Sequence, residues 1–441
     1  MEKNLTPIKI VEELDKYIIS QEEAKKSVAI SLRNRHRRKK IEDGEMRAEI
    51  TPKNIILIGS TGVGKTEIAR RLAKIADAPF IKVEATKYTE VGYVGKDVES
   101  IIKDLANLTF KNLKDRKLES LKKDYYEEVV EQIGKIYKPY DSLNDEAKAN
   151  IVSQIKSGDL DEIEIEFLKH RVTNSQMPSI EVGDSEENGK NEHIKSVISN
   201  MIGDIKGEKK TIKLKIKSAI QYLLNEKVNS ELDEEQIFYE TVIKVQEDGI
   251  VFIDEIDKIV EREGNERGGI SRQGVQRDLL PIIEGCTVMT KYGAVKTDHI
   301  LFIGAGSFSQ CSPSDIMPEL QGRFPVKVKL KNLEKKDFIK ILTEVNYNLL
   351  EQYKALLEKD MVELVFTKTG IDSIAGLAVT MNEKVENLGA RRLHIILESL
   401  LQDIMFNAPY EERKKITIDK RFIFKIFQEE YREEDLDKCI L

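Results

Sequence analysis

The chain has 441 residues, with 71 Lys and Arg against 78 Asp and Glu and a formal net charge of −7. That length calls for two or three domains, each with its own core, and the acidic balance gives no general electrostatic reason to bind a phosphate backbone. Cysteines stand only at 286, 311 and 439, widely spaced and without a C-x-x-C pair, which fits a reduced, cytoplasmic setting rather than a disulfide framework.

Met1 leads into charged and polar sequence, and no run of about 18 apolar residues occurs, so neither a signal peptide nor a membrane span is expected. Short apolar runs bounded by turn signals follow at 54–58, 79–83, 250–253, 299–303 and 326–330. Their alternation with amphipathic helical stretches predicts an α/β fold with a mainly parallel, five-stranded sheet in residues 1–106 and 241–332. Between 107 and 240 Lys and Glu dominate at helical spacing, and 174–191 is polar with Ser, Gly and Pro. This stretch reads as an inserted, mostly helical domain with a flexible centre, because so few apolar residues cannot offset the entropy of ordering the middle. From 333 to 441 the pattern is helical again, with a short strand at 415–418, and predicts a C-terminal domain.

The chemistry concentrates at Gly59-Ser60-Thr61-Gly62-Val63-Gly64-Lys65-Thr66, directly after the strand at 54–58 and before a helical run at 67–76. In that setting glycines let backbone N–H groups converge on a polyphosphate at a helix N-terminus, Lys65 neutralises phosphate charge and the Thr66 hydroxyl can ligate Mg²⁺. A glycine-rich turn with an exposed lysine is the alternative. The apolar run at 250–253 ends in Asp254 and Glu255, as a buried strand presents acids at its carboxyl edge. Asp254 suits a role at Mg²⁺, partly through water, and Glu255 suits orienting and deprotonating an attacking water. An acid pair that only caps the next helix is the alternative. Together the two motifs read as a nucleoside triphosphatase using ATP and Mg²⁺. The charged insertion between them is not needed for hydrolysis and points to substrate handling.

With these residues in place the sequence resembles the HslU (ClpY) family of AAA+ unfoldases, from the amino terminus to the last residue and most weakly across the insertion. The segment 14–21 is similar to the family's adenine-pocket segment, which implies that Ile18 and Ile19 touch the base; as plain sequence they read equally well as core residues. Residues 319–325 resemble the arginine-finger segment, implying that Glu319 and Arg323 serve the nucleotide, Arg323 in trans on the neighbouring subunit. Residues 389–393 resemble the sensor-2 motif of a C-terminal lid domain, implying that Arg391 contacts the nucleotide. The family pattern also implies nucleotide contacts from Gly62, Val63, Gly64, Lys65, Thr66 and Glu67. Where the family usually has glycine this chain has Ser20. The sensor-1 region holds Ala305 and Ser307, and the sequence assigns no role to Ser307.

Gly92-Tyr93-Val94-Gly95 looks like the family's pore loop, an apolar paddle between hinge glycines that would grip substrate polypeptide. The segment around Lys291, Tyr292 and Gly293 is either a second pore-facing loop or a plain β-hairpin. Cys439, Ile440 and Leu441 resemble the tail that docks on the partner threonine peptidase HslV. The resemblance thus implies a homo-hexamer that unfolds bound or tagged proteins, threads them into a dodecameric HslV and activates it. Peptide cleavage lies elsewhere, since no proteolytic constellation is visible. No nucleic-acid or membrane partner is expected. The alternatives are a ClpX-like unfoldase, disfavoured because residues 1–60 contain no cysteine for a zinc domain; a nucleic-acid-remodelling motor using the basic run from Arg33 to Lys40; and a switch that binds ATP without turnover.

Overall fold

The structure, a computed structural model, describes residues 6–88, 96–140, 143–169, 210–260 and 272–427. It divides into two compact units, Met1–Asn112 with Glu235–Leu441, and Leu113–Glu234.

In the first unit five strands form one sheet in the order β2-β5-β8-β1-β9: β1 Ile55–Ile58, β2 Phe80–Glu84, β5 Ile250–Asp254, β8 Leu301–Gly306 and β9 Val326–Lys329. Every pairing is parallel. All five expected apolar runs are therefore strands of a single sheet, and their carboxyl ends share one edge. The runs are continuous rather than alternating because both faces are covered. Ile55, Leu57, Ile250, Phe252, Leu301 and Ile303 point into one cluster with the helices Pro7–Asp15, Glu22–Lys39 and Lys65–Ala76. Ile56, Val251, Ile253 and Phe302 point into the other, which the helices Ser100–Tyr137 and Arg272–Glu284 help to close.

The C-terminal part of the same unit has its own core, built from the helices Lys335–Thr343, Leu349–Glu358, Lys368–Lys384, Arg391–Asn407 and Lys420–Phe427. The expected short strand is β11, Lys414–Ile418, and it pairs in parallel with β10, Val362–Phe366. Residues beyond 427 lie outside the described ones, and so do Cys439, Ile440 and Leu441.

The second unit packs the later part of the helix Ser100–Tyr137 with Asp145–Ser157, Ile216–Glu231 and an antiparallel pair, β3 Glu164–Lys169 and β4 Lys210–Lys215. Val129, Val130, Ile133, Ile151, Ile155, Ile216, Ile220 and Leu224 form its core. The segment 174–191, expected as a flexible centre, lies outside the described residues. The division at Leu113 and Glu234 falls inside the expected span of 107–240. An aromatic cluster lies in the first unit, with members on both sides of the insertion. The Phe110 ring stacks 4.7 Å from Tyr292 and lies 5.3 Å from Phe238. Tyr292 also donates its hydroxyl to Asn107 Oδ1 at 3.2 Å. These contacts hold residues on both sides of the insertion within the sheet domain. Tyr292 lies between β6, Thr287–Thr290, and β7, Gly293–Lys296, an antiparallel hairpin. Its ring is buried in the aromatic cluster, so the hairpin reading is the one the fold contains.

The basic run on Glu22–Lys39 is largely built into the fold. Arg35 is buried and donates to the carbonyl oxygens of Glu247, Asp248, Gly249 and His299 at 2.8, 3.2, 3.1 and 3.1 Å. Two of these carbonyls, those of Glu247 and Asp248, end the helix Glu234–Asp248, where no intrahelical donor remains, and that of Gly249 also accepts from Leu301 N at 3.0 Å. Arg38 donates to Arg47 O at 2.9 Å and to Glu247 at 2.8 Å, and Lys39 pairs with Asp248 at 2.6 Å. Burial lowers the Arg35 pKa to about 10 even though Asp248 and Glu247 raise it, so the guanidinium stays charged at neutral pH. No helix among the described residues is long and apolar enough to cross a membrane.

Candidate nucleotide site

The loop 59–64 leaves β1 and turns into the helix Lys65–Ala76, whose buried stripe of Ile68, Ala69, Leu72 and Ala73 fixes it against the sheet. Gly64 is the N-cap at φ 105°, and no side chain caps this N-terminus. The first N–H groups of the helix therefore face the loop without a side-chain acceptor, the arrangement that favours an anion. The Lys65 ammonium folds back on the loop and donates to Gly59 O at 2.6 Å and Ser60 O at 2.8 Å. Burial pulls its pKa below the ordinary lysine value; Asp254 and Asp257 oppose that shift and Arg391 adds to it. Arg391 is exposed, and its influence on Lys65 places its charge in the electrostatic reach of the loop.

The C-terminal part of this unit meets the loop through a backbone hydrogen bond. Ala390 N–H donates to Gly62 O at 3.0 Å. Gly62 and Gly389 both have positive φ, 75° and 54°. A Cβ on Gly62 would stand 2.0 Å from Leu388 O, and one on Gly389 would stand 2.6 Å from Thr61 O, so only glycine fits either position. Neighbouring Arg392 is buried and bonds Asn382 and Glu386 O, which leaves Arg391 as the outward-facing arginine of the pair.

Across the sheet edge β5 delivers its acids beside the loop. Thr66 Oγ1 donates to Asp254 Oδ2 at 3.5 Å, and Glu255 N–H donates to Asp254 Oδ1 at 3.1 Å. Glu255 is exposed and left-handed, φ 55° and ψ 36°, a conformation that costs a non-glycine residue about 1 kcal/mol and that clusters at functional positions. Asp257, two residues on, is buried. It accepts from Ser307 Oγ at 2.8 Å and Phe308 N at 3.0 Å, tying the end of β8 to the turn after β5. Ser307 is thus engaged by Asp257, and Ala305 is core.

The remaining candidates fall in varied surroundings. Ile18 is buried in the same cluster as Val63, and the Ile18 methyl lies 4.0 Å from where a Gly64 Cβ would be; Ile19 is half-buried. Ser20 and Gln21 are both left-handed, at φ 57° and 65°. At Ser20, where glycine was the expected residue, the hydroxyl donates to Asp337 Oδ1 at 2.7 Å and offsets the strain. Gln21 exchanges hydrogen bonds with both backbone groups of Lys331. Glu67 is held by Arg71 and Arg70; burial alone would raise its pKa, and those hydrogen bonds carry it below the ordinary carboxylate value. Arg323 pairs with Glu284 at 2.9 Å with half its side chain exposed, and Glu319 is exposed. Gly92, Tyr93, Val94 and Gly95 lie outside the described residues.

Two site residues escaped the sequence reading. Asp257 carried a faint signal, as a third acid just after Asp254 and Glu255. Lys82 carried none: only the pairing of β2 with β5 brings its ammonium to 2.8 Å from Asp254 Oδ2.

The donor set also fits a magnesium ion. Among the described residues no three His, Cys, Asp or Glu side chains gather into a metal site. Thr66 and Asp254 instead offer one hydroxyl and one carboxylate, the sparse protein share that suits Mg²⁺ held jointly with phosphates. Residues 55–116 match the family model described as "ATPase family associated with various cellular activities (AAA)". Residues 175–344 match the one described as "AAA domain (Cdc48 subfamily)". The first stretch holds the phosphate loop and the second the strand-end acids, and together they mark the chain as carrying an AAA+ ATPase domain.

Proposed function

We propose that the chain hydrolyses ATP to ADP and phosphate and couples that reaction to protein unfolding, as a hexameric unfoldase of the HslU type. The observation that carries the hydrolytic part is Glu255, exposed in a left-handed turn beside Asp254, whose carboxylate faces Thr66 at the phosphate loop. The N–H groups after Gly62 and at the start of the helix Lys65–Ala76 bind phosphate oxygens, and Lys65 exchanges its two carbonyl partners for the terminal phosphates. Thr66 and Asp254 hold Mg²⁺, which when bound neutralises phosphate charge. Glu255 orients the water and takes its proton. Ile18 and Ile19 border the base. Arg391 reads the phosphates from the C-terminal domain, and Arg323 leaves Glu284 to serve the neighbouring subunit's nucleotide.

Gripping through Tyr93 and delivery to an HslV-type threonine peptidase through Cys439, Ile440 and Leu441 rest on the resemblance of those segments. The decisive variant is Glu255→Gln. Hydrolysis should fall by at least about 100-fold while ATP binding, followed by calorimetry, persists; an unchanged rate would leave a non-hydrolysing switch as the better reading. In the wild type, ATPase stimulated by an unfolded protein, and ATP-dependent co-purification with a threonine peptidase, test the coupling.

A further inference from the structure

β2 lies at the edge of the sheet, and Lys82 in its middle places its ammonium 2.8 Å from Asp254 Oδ2. The Thr66 hydroxyl reaches the same oxygen, at 3.5 Å, whereas Oδ1 is taken by the Glu255 N–H. Lys82 therefore sits on the carboxylate oxygen that a divalent cation held by Thr66 and Asp254 would use. The two partners differ in freedom. The Asp254 side chain is 17% exposed and pinned through both oxygens, while that of Lys82 is 37% exposed on a flexible stem.

We infer that Lys82 is a built-in competitor of Mg²⁺ for Asp254 Oδ2: it neutralises the acid and has to release that oxygen for the metal to bind. An ammonium and a divalent cation repel strongly at contact distance in a partly buried site, so the two do not share one oxygen. A lysine suits this exchange because its compact charge can swing away on four methylenes, whereas an arginine fork would hold the carboxylate through two donors. Nothing else in the proposed chemistry uses Lys82. Its effect is to make the metal affinity of the site weaker than Thr66 and Asp254 alone would give. The inference rests on the nucleotide-site reading.

The test is calorimetric titration of the full chain with ADP at a series of Mg²⁺ concentrations, and in EDTA, for wild type, Lys82→Met and Lys82→Arg. Lys82→Met should lower the Mg²⁺ concentration at half-effect by roughly threefold to tenfold. Lys82→Arg should leave it equal to wild type or raise it, and in EDTA all three should bind ADP alike. An unchanged or higher Mg²⁺ requirement in Lys82→Met would overturn the inference. Melting curves accompany each titration, and Lys82→Gln replaces Lys82→Met should the latter not fold. Loss of stability together with weaker metal dependence would make Lys82 a structural support and also sink the competitor role. If the wild type binds no ADP at any Mg²⁺ concentration, the nucleotide-site reading falls; if it binds ADP with a Mg²⁺ dependence indifferent to Lys82, only the inference does.

Discussion

The helix Glu22–Lys39 carries a run of basic residues and the loop 59–66 a single lysine, and the structure gives Arg35 and Lys65 opposite surroundings. Arg35 is buried, and its two terminal nitrogens donate to carbonyl oxygens that end another helix and flank two strands. Among the described residues Lys65 donates to two carbonyls of its own loop, next to an uncapped helix N-terminus and within reach of Asp254 and Asp257. A buried guanidinium with four carbonyl partners is part of the fold, because removing it takes a charged donor from all four at once. A lysine bonded to two local carbonyls can exchange them for a phosphate with little rearrangement. Positive charge in the sequence thus marks a binding site only where its partners are replaceable, and Arg35, Arg38 and Lys39 of the run from Arg33 to Lys40 are already engaged within the fold.

The contrast predicts separable effects. The largest belongs to Arg35→Met, which should destabilise the protein by about 3–5 kcal/mol, read as a lower midpoint in urea with nucleotide affinity unchanged in the folded protein. A shift of under 1 kcal/mol would mean that the carbonyl cluster finds other donors and that the two basic regions are alike after all. Next comes Lys65→Ala, for which ATP affinity should weaken by about 10–100-fold while the urea midpoint stays at the wild-type value. A large loss of stability there would make Lys65 a loop-holding residue rather than a ligand for phosphate.

The smallest effect sharpens the Arg35 side. His299, whose carbonyl Arg35 uses, is held below the ordinary imidazole pKa of 6.5 by burial first and by Arg38 and Arg35, against the pull of Glu247 and Asp298. With the folded value below the unfolded one, the unfolded chain binds the extra proton first. Stability from this group is complete above pH 6.5 and is lost as pH falls from there through the folded value. His299→Gln should therefore flatten the decline of the melting temperature between neutral pH and mild acid; an identical slope in both proteins would remove His299 from the cause.

Much of this was legible from local pattern. The five apolar runs became the five strands of one sheet because a parallel strand covered on both faces must be apolar throughout. The phosphate loop was legible because its glycines, lysine and threonine are contiguous and bounded by a strand and a helix. Pairings between distant segments were not. The Phe110, Phe238 and Tyr292 cluster joins residues far apart in the chain. The strand β10, Val-Glu-Leu-Val-Phe at 362–366, was not among the expected strands, though its residues suit one, and it pairs with β11.

The sequence by itself determined the α/β class, the loop that faces phosphate and the acids at the end of β5, since each depends on residue type at short spacing. Only the tertiary structure decided that Arg35 caps a helix, that Gly389 must be small to lie on Gly62, that Ser307 answers to Asp257 and that Lys82 holds Asp254. Those contacts follow from strand order and from the packing of one backbone on another, and neither leaves a periodic trace along the chain.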